Sequence, residues 1–290
     1  MRRPHILRLA TDVALAVGVH SLTTGALANP KVRKSATVRD VLTLPLHLAP
    51  AATAGAGNVC PFAGACAALC LDGAGNPAYA TGKSRARIAR TRLWRDMPAA
   101  FLTVLVAEIA AHVAAARAAG MAPAVRLNAT SDVMWERSPV FVEPELAAYV
   151  RARHGVRIRA GQHAHVFSVF PRVSFYDYTK IPVRYRAERI PRNYHLTYSY
   201  DPRNAQHVAD ALAAGFNVAV PFQGKTLPAT YMGRPVIDGD VHDYRPADGK
   251  APDGGPVIVG LRFKRITAPH VVARIGTHAA RTGAGFAVAA

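Results

Sequence analysis

The stretch DMPAAFLTVLVAEIAAHVAAARAAGMAPAVRLNATSD (residues 96–132) joins a long helical pattern to a short strand pattern. Residues 96–120 are mainly Ala and other good helix formers, and Gly120 stands where a helix C-terminal cap belongs. Residues 122–132 form a short apolar run that ends in polar residues, which predicts a strand followed by a loop. A helix that leads directly into a strand is typical of α/β folds.

The sequence that follows repeats this alternation. The predicted elements are helices over 142–155 and 202–215, and strands over 173–180, 194–200, 216–222, 235–240 and 257–264. Strands separated by helices indicate a largely parallel sheet, and neither the dinucleotide-binding nor the P-loop glycine pattern appears at a strand-to-helix turn. We therefore expect an α/β fold with a largely parallel sheet, a barrel or partial (βα) barrel, that carries an N-terminal cysteine-containing loop.

Polar side chains collect where the predicted strands end. Chemistry in barrels takes place at the carboxyl ends of the strands. The side chains at these ends are Asn128, Asp132, Asp177, Lys180, Tyr200, Gln223, Asp238, Asp240 and Lys264. Among them, Asp177 is a candidate catalytic base and Lys180 a candidate anion clamp, although a salt-bridged strand end would have the same sequence.

Two clusters are candidate cofactor sites. The segment RLNATSD carries Arg126, Asn128, Ser131 and Asp132, which could coordinate a cofactor or a metal, or could simply cap a helix. The segment VIDGDVHDYR carries Asp238 and Asp240, which suit Mg²⁺ but equally suit an Asx-type turn. Lys264, at the end of the last predicted strand, completes the candidate cofactor-binding set.

All three cysteines of the chain, Cys60, Cys66 and Cys70, lie within eleven positions. An odd number of cysteines in a chain of this size does not indicate a disulfide framework. Three thiolates can hold three corners of a [4Fe–4S] cluster with one iron open, or bind Zn²⁺ together with a histidine such as His163 or His165. Three buried cysteines without a metal are the third interpretation.

A three-cysteine loop before an α/β half-barrel resembles the architecture of radical SAM enzymes. The C-x5-C-x3-C spacing differs from the usual C-x3-C-x2-C of that superfamily, and no Gly-Gly-Glu-like element follows an early strand. The resemblance is one of architecture. It implies a [4Fe–4S] cluster that works with S-adenosylmethionine, and Zn²⁺ remains the alternative metal.

A second resemblance covers most of the chain, roughly residues 28–265. Blocks such as NVCPFAGACAALCLD, KSRARIARTRLW, PAVRLNATSDVMWE, SFYDYTK, NYHLTYS and VIDGDVHDYRP are similar to the phage gene product 88 domain family, and they occur in the family's order. The resemblance implies a protein of phage or prophage type with a cysteine loop. It implies no established activity.

The charge balance is strongly basic, with 36 Lys and Arg against 18 Asp and Glu. Such an excess attracts polyanions, so nucleic acid is a candidate partner. The segment KSRARIARTRLWR is either a basic helix for phosphates or a solvated helix face. The candidate contacts in it are Lys83, Arg85, Arg87, Arg90 and Trp94.

The first 28 residues loosely resemble a secretory signal but are interrupted by Asp12 and His20. We expect a leader or disordered N-terminus over 1–28, a single α/β domain of gene product 88 type over 29–268, and a C-terminal tail over 269–290. The stretch is too polar to span a membrane, so we expect a cytoplasmic protein without stable membrane association. The sequence carries no signal for an oligomeric state.

Two functions follow. The first is an iron–sulfur enzyme of radical SAM-like type acting on an unknown substrate, with the three cysteines as metal ligands. The second is a non-catalytic, basic nucleic-acid-binding protein with a structural zinc site.

Overall fold

The computed structural model describes residues 2–25, 30–183 and 190–289. The helices are α1 (His5–Ala16), α2 (Pro30–Arg39), α3 (Ala80–Asp96), α4 (Pro98–Ala118), α5 (Pro144–His154), α6 (Val166–Val169), α7 (Ala205–Ala213), α8 (Pro269–Ile275) and α9 (Thr277–Thr282). The strands are β1 (Val41–Pro45), β2 (Ala122–Arg126), β3 (Val140–Val142), β4 (Gly161–His163), β5 (Ser174–Thr179), β6 (Tyr194–Ser199), β7 (Val218–Phe222), β8 (Thr230–Tyr231), β9 (Arg234–Asp238) and β10 (Ile258–Arg262).

Eight strands of the described residues form one sheet in the order β1-β2-β5-β6-β7-β10-β9-β8. Every pairing in it is parallel except that of β8 with β9, and β3 and β4 form a separate antiparallel pair. The expected α/β fold with a largely parallel sheet is confirmed. Within the described ranges β1 and β8 do not pair, so the sheet is not a closed barrel.

Helix α4 forms the centre of the helical layer on one face of the sheet. Its predicted position is confirmed: Pro98 occupies the first turn, and Gly120 follows the end with φ +68°. Phe101, Leu105 and Ile109 are fully buried in the main core. By length and composition α4 could cross a membrane, but most of its apolar window is buried within the fold, as expected of a core helix.

The N-terminal segment packs onto α4. The sequence predicted a leader or disordered stretch over 1–28, whereas residues 5–16 form α1, which buries Leu7 and Ala14 in the main core. The Glu108 carboxylate in α4 accepts hydrogen bonds from the backbone N–H groups of Leu22 and Thr23, both at 2.9 Å. These bonds fix the chain that leaves α1.

The two faces of the sheet differ in polarity. Phe175 in β5 and Leu196 in β6 face the helices and belong to the main core. Because side chains alternate along a strand, Tyr178 and its β6 neighbour Thr197 occupy the opposite face, which we call the inner face. Residues 239–248 contact this face, where Asp243 pairs with Arg126 at 3.0 Å.

The C-terminal residues are part of the folded unit, although the sequence predicted a tail from residue 269. Helices α8 and α9 contribute Val271 and Ala280 to a small core that also contains Leu69. The backbone N–H groups of Thr267 and Ala268 both donate to the Gly73 carbonyl at 2.9 Å. The C-terminal segment therefore packs against the loop that carries the cysteines.

Candidate metal centre at the cysteine loop

The cysteine loop runs from the carboxyl end of β1 to α3, over residues 46–79. Cys60, Cys66 and Cys70 are half-buried free thiols on it. Cys66 lies in the short 3-10 helix Gly64–Ala67, and the Cys70 sulfur accepts the Asp72 N–H at 3.5 Å. Because the sheet is parallel, a loop after β1 lies at the edge where polar strand ends converge.

The three sulfurs lie close enough to affect one another's protonation. A hydrogen bond from the Cys70 thiol, with a smaller contribution from the Lys180 ammonium, lowers the pKa of Cys66 to about 7 against the opposing effect of burial. The same hydrogen bond, together with burial, raises the pKa of Cys70. Burial raises the pKa of Cys60 to about 11, with a contribution from Cys66.

The thiols are engaged in hydrogen bonds within the chain. The Cys60 thiol donates to the Thr130 carbonyl at 3.8 Å. Within residues 2–25, 30–183 and 190–289, no group of three or more His, Cys, Asp or Glu side chains is placed to hold a metal ion. Shared binding of an ion or cluster by all three cysteines therefore requires side chains to reorient, with Cys60 turning from the Thr130 carbonyl toward the hydrogen-bonded pair of Cys66 and Cys70.

Two carboxylates tie the loop to the ends of the strands. Asp132, after β2, donates its N–H to the Val59 carbonyl at 2.8 Å, and its carboxylate accepts the Lys180 N–H at 2.7 Å. Asp201, after β6, accepts the Cys66 N–H at 3.1 Å. Strand-end position is the signal that reveals Asp201, which the sequence reasoning missed in favour of its neighbour Tyr200.

Lys180 places a buried cation beside the thiols. Its ammonium donates to the Ser199 hydroxyl at 2.8 Å and to the Tyr200 carbonyl at 2.7 Å. The Phe286 ring of the C-terminal segment lies 5.5 Å from the same nitrogen. These partners are neutral groups, and Lys180 contributes to lowering the pKa of Cys66.

The basic helix α3 anchors the cysteine loop. Lys83 donates to the carbonyls of Asp72 and Ala74, and Arg87, which is buried, forms an ion pair with Asp72. Trp94 packs against Trp135 with ring centroids 5.4 Å apart. These three side chains, predicted to contact nucleic acid, are engaged within the fold.

The other two residues of that predicted set differ in exposure. The Arg90 guanidinium donates to the Ser21 carbonyl at 2.8 Å, whereas Arg85 is exposed. Helix α3 therefore does not present the continuous basic face that the sequence suggested. Nucleic-acid binding stays a prediction from the net charge.

Asn128 is the centre of a buried hydrogen-bond network. Its Oδ1 accepts bonds from the Ser131 hydroxyl, the Val133 N–H and the Trp135 indole. Its N–H donates to Asp177 at 2.7 Å. Asn128 and Ser131, predicted to bind a cofactor, thus shape the loop after β2.

Asp177, predicted as a catalytic base, lies on the helix-facing side of β5 and is fully buried. Besides Asn128, its carboxylate accepts the Tyr194 hydroxyl at 2.9 Å. The Asp177 carboxylate is therefore part of the hydrogen-bond network of Asn128, whereas the ammonium of Lys180, which follows β5, binds Ser199 and Tyr200.

Arg126, predicted from the sequence to bind a cofactor, lies on the inner face of the sheet. Arg126 pairs with Asp243, and its guanidinium lies 4.8 Å from the centre of the Tyr178 ring. Burial has the largest single effect on the pKa of Arg126 and lowers it, but Asp243 acting together with Tyr178, Tyr176 and Asp177 raises the pKa above its ordinary value. Arg126 therefore remains a cation within the fold.

The Asp238 and Asp240 pair forms a turn closed by an arginine. The Asp240 N–H donates to Asp238 at 2.9 Å, which is the Asx-type turn considered from the sequence. Arg262 forms ion pairs with both carboxylates, at 2.8 and 3.3 Å. A magnesium ion would have to compete with this guanidinium. Lys264 is exposed beyond β10.

The two histidines considered as zinc ligands are used locally. His163 in β4 forms a hydrogen bond through Nε2 with the Arg159 carbonyl at 2.8 Å, and His165 accepts the Ser168 N–H at the start of α6. Neither histidine is among the groups that most strongly shift the pKa of Cys60, Cys66 or Cys70.

Together these features define an open, largely parallel α/β protein with a three-cysteine loop at the carboxyl edge of its sheet. Residues 21–284 match the family described as Gene product 88. The chain belongs to the gene product 88 family, which confirms the resemblance to this phage family. No curated protein and no solved structure matches the chain.

Proposed function

We propose that this phage-type protein is an iron–sulfur enzyme in which Cys60, Cys66 and Cys70 hold a [4Fe–4S] cluster. The observation that carries the proposal is that three free thiols share one loop at the carboxyl edge of the sheet, beside the buried side chain of Lys180. The substrate remains to be identified.

The donor set and its surroundings fit such a group. Thiolates are the protein ligands of iron–sulfur clusters, and a cluster held by three of them is anionic. Lys180 and Arg87 supply positive charge to Cys66 and Cys70, and both are held in place by hydrogen bonds or an ion pair. This charge favours the thiolate form that a metal requires.

A zinc site fits the same surroundings less well. Tetrahedral zinc needs a fourth donor. The acidic side chains that act on Cys66 are Asp132 and Asp201, and they already accept the N–H groups of Lys180 and Cys66. Either would have to bind zinc while it accepts a bond that shapes the site, whereas a cluster held by three thiolates needs no fourth ligand from the chain.

Because the chain has no fourth cysteine, we propose that S-adenosylmethionine binds at the open position of the cluster. When bound, a [4Fe–4S] cluster supplies one-electron reduction to a molecule at its open iron. The chain's own residues fix the surroundings: Asp132 and Asp201 hold the loop against the strand ends, and the C-terminal segment packs on its outer side.

Anaerobic reconstitution with iron and sulfide tests the proposal. The wild-type chain is expected to gain visible charge-transfer absorption, and Cys60→Ala, Cys66→Ala and Cys70→Ala should each lose most of it. Leu71→Ala is the matched control, because Leu71 is exposed on the same loop and carries no ligand atom. Wild-type protein that stays colourless and takes up zinc would overturn the iron–sulfur assignment.

A spectroscopic measurement tests the cofactor. Addition of S-adenosylmethionine to the reduced, reconstituted protein is expected to change its electron paramagnetic resonance spectrum. An unchanged spectrum at saturating cofactor would contradict binding at the open iron and leave the cysteine assignment intact.

A further inference from the structure

Two adjoining cavities open near the amino ends of β5 and β6. The first, of about 400 Å³, is lined by Arg172, Arg192 and His195 among others. The second, of about 570 Å³, is lined by Arg157, Arg159 and His163. Pro171 lines both, so they form one surface. We call this surface, defined by the four arginines and two histidines, the basic groove.

The groove is positively charged throughout. Arg157, Arg159, Arg172 and Arg192 are all exposed. Among the described residues that line the two cavities there is neither an aspartate nor a glutamate. The chain as a whole carries a formal charge of +18, and here part of that excess is gathered around a concavity.

His195 lines the first cavity. Burial is the largest cause that lowers its pKa and, together with Lys250 and Arg245, brings it to about 4. Because Arg245 is itself paired with Asp248, the positive charge offered to an anion comes from the four exposed arginines.

We propose that the basic groove binds the sugar–phosphate backbone of duplex nucleic acid. Arginine guanidinium groups bind phosphate oxygens through paired hydrogen bonds, and clustered arginines release counterions from a nucleic acid when they bind it. The exposure of all four leaves their charged groups accessible to a phosphate chain.

The side chains that line the groove favour a duplex over a single strand. Proteins that bind single strands without sequence preference stack the bases on aromatic side chains. The aromatic residues that line the described part of the groove are Phe175 and Tyr194, which are 0% and 3% exposed. Of the aromatic rings that line the described part of the groove only that of His195 is partly exposed, so binding falls mainly to the sugar–phosphate backbone, which a duplex presents on its outside.

This surface is separate from the cysteine loop and from α3. Strand β5 has six residues, so its two ends lie about 20 Å apart. The groove lies at the amino end and the cysteine loop at the carboxyl edge. The proposal therefore stands whether or not the thiols hold a cluster.

Fluorescence anisotropy with a short labelled DNA duplex of arbitrary sequence tests the proposal on the full chain. The groove variant combines Arg157→Gln, Arg159→Gln, Arg172→Gln and Arg192→Gln. The matched control combines Arg203→Gln, Arg265→Gln, Arg274→Gln and Arg281→Gln, four exposed arginines elsewhere, so both variants lower the formal charge equally. Circular dichroism establishes that both remain folded.

The groove variant is expected to bind at least about tenfold more weakly than the control, and its salt-dependence slope should fall by about 3 to 4 because up to four phosphate contacts are lost. A parallel titration with an RNA duplex shows whether the groove binds duplex DNA, duplex RNA or both. Equal losses in both variants, tighter binding of the corresponding single strand, or equally groove-dependent binding of poly-glutamate would overturn the assignment.

Discussion

The substitution Gly64→Ala tests how the cysteine loop is held in place. Gly64 has φ +56°, and a Cβ atom built there would lie 2.6 Å from an oxygen of the Asp201 carboxylate. Asp201 is buried and accepts the N–H of Cys66. The methyl group would therefore displace the carboxylate that positions the second cysteine.

The expected loss in the free energy of unfolding of Gly64→Ala has two parts. A non-glycine residue in the left-handed region costs about 1–2 kcal/mol. Displacement of the carboxylate breaks a hydrogen bond to a charged group, worth about 1.5–3 kcal/mol. Gly55→Ala isolates the first part, because Gly55 has φ +68° and nothing within 4 Å of its built Cβ.

Urea denaturation of both variants measures the difference. We expect Gly64→Ala to be less stable than Gly55→Ala by about 1.5–3 kcal/mol, the cost of the broken bond. In anaerobic reconstitution, Gly64→Ala should also retain less iron than Gly55→Ala. Equal stability and equal iron content in the two variants would refute the role assigned to the contact between Gly64 and Asp201.

Three further predictions follow from the contacts and test four substitutions. Glu108→Gln should lower stability by about 2 kcal/mol in thermal denaturation, because a carboxylate that accepts two backbone N–H groups is replaced by an amide; an unchanged melting temperature would contradict this. Tyr176→Phe should lower the free energy of unfolding by about 1 kcal/mol, because the Tyr176 hydroxyl forms hydrogen bonds with Thr43 and Asp243. Tyr178→Phe should leave stability unchanged or raise it, because the buried Tyr178 hydroxyl has no hydrogen-bond partner in the described part of the chain. The reverse order of stabilities in urea denaturation would contradict this pair of predictions. The pKa of His195 is lowered to about 4, mainly by burial, so on acidification the unfolded chain takes up a proton before the folded chain does. The free energy of unfolding should therefore fall as the pH drops from about 6.5 toward 4, by up to about 3 kcal/mol. His195→Gln should lose less stability than the wild type between about pH 7 and 4.5, and an identical loss would show that His195 does not carry the effect.

Long patterned elements could be predicted from the sequence. Helix α4 has strong helix formers and a glycine cap, and β5, β6 and β10 are apolar runs bounded by turns, so local pattern and final structure agree. Strand β1 was missed: five residues, VLTLP, follow the polar helix α2, and such a short apolar run has no period that separates a strand from a loop.

The candidate site was predicted in part. The strand-end rule found Asp132 and Lys180, which both act on the cysteine loop. It also selected Asp177, because alternation along β5 shows that neighbours face opposite sides but not which side the helices cover. Only the packing of α4 against the sheet decides that.

Residues distant in sequence were beyond local reasoning. Arg157 and Arg192 come together in the basic groove only through the sheet, and no spacing rule links them. The C-terminal segment is another such case, since Thr267 meets Gly73 across most of the chain. The ion pair between Arg87 and Asp72 lay beyond local reasoning for the same reason, since the charge pattern of helix α3 does not reveal its partner.

Iron and acid-labile sulfide analysis of protein purified without oxygen addresses the role of the cysteine loop most directly. The account predicts iron and sulfide in equal amounts, close to four of each per chain as a [4Fe–4S] cluster requires, and loss of both in a variant with all three cysteines replaced by alanine. Stoichiometric zinc, or iron that survives the loss of Cys60, Cys66 and Cys70, would contradict it.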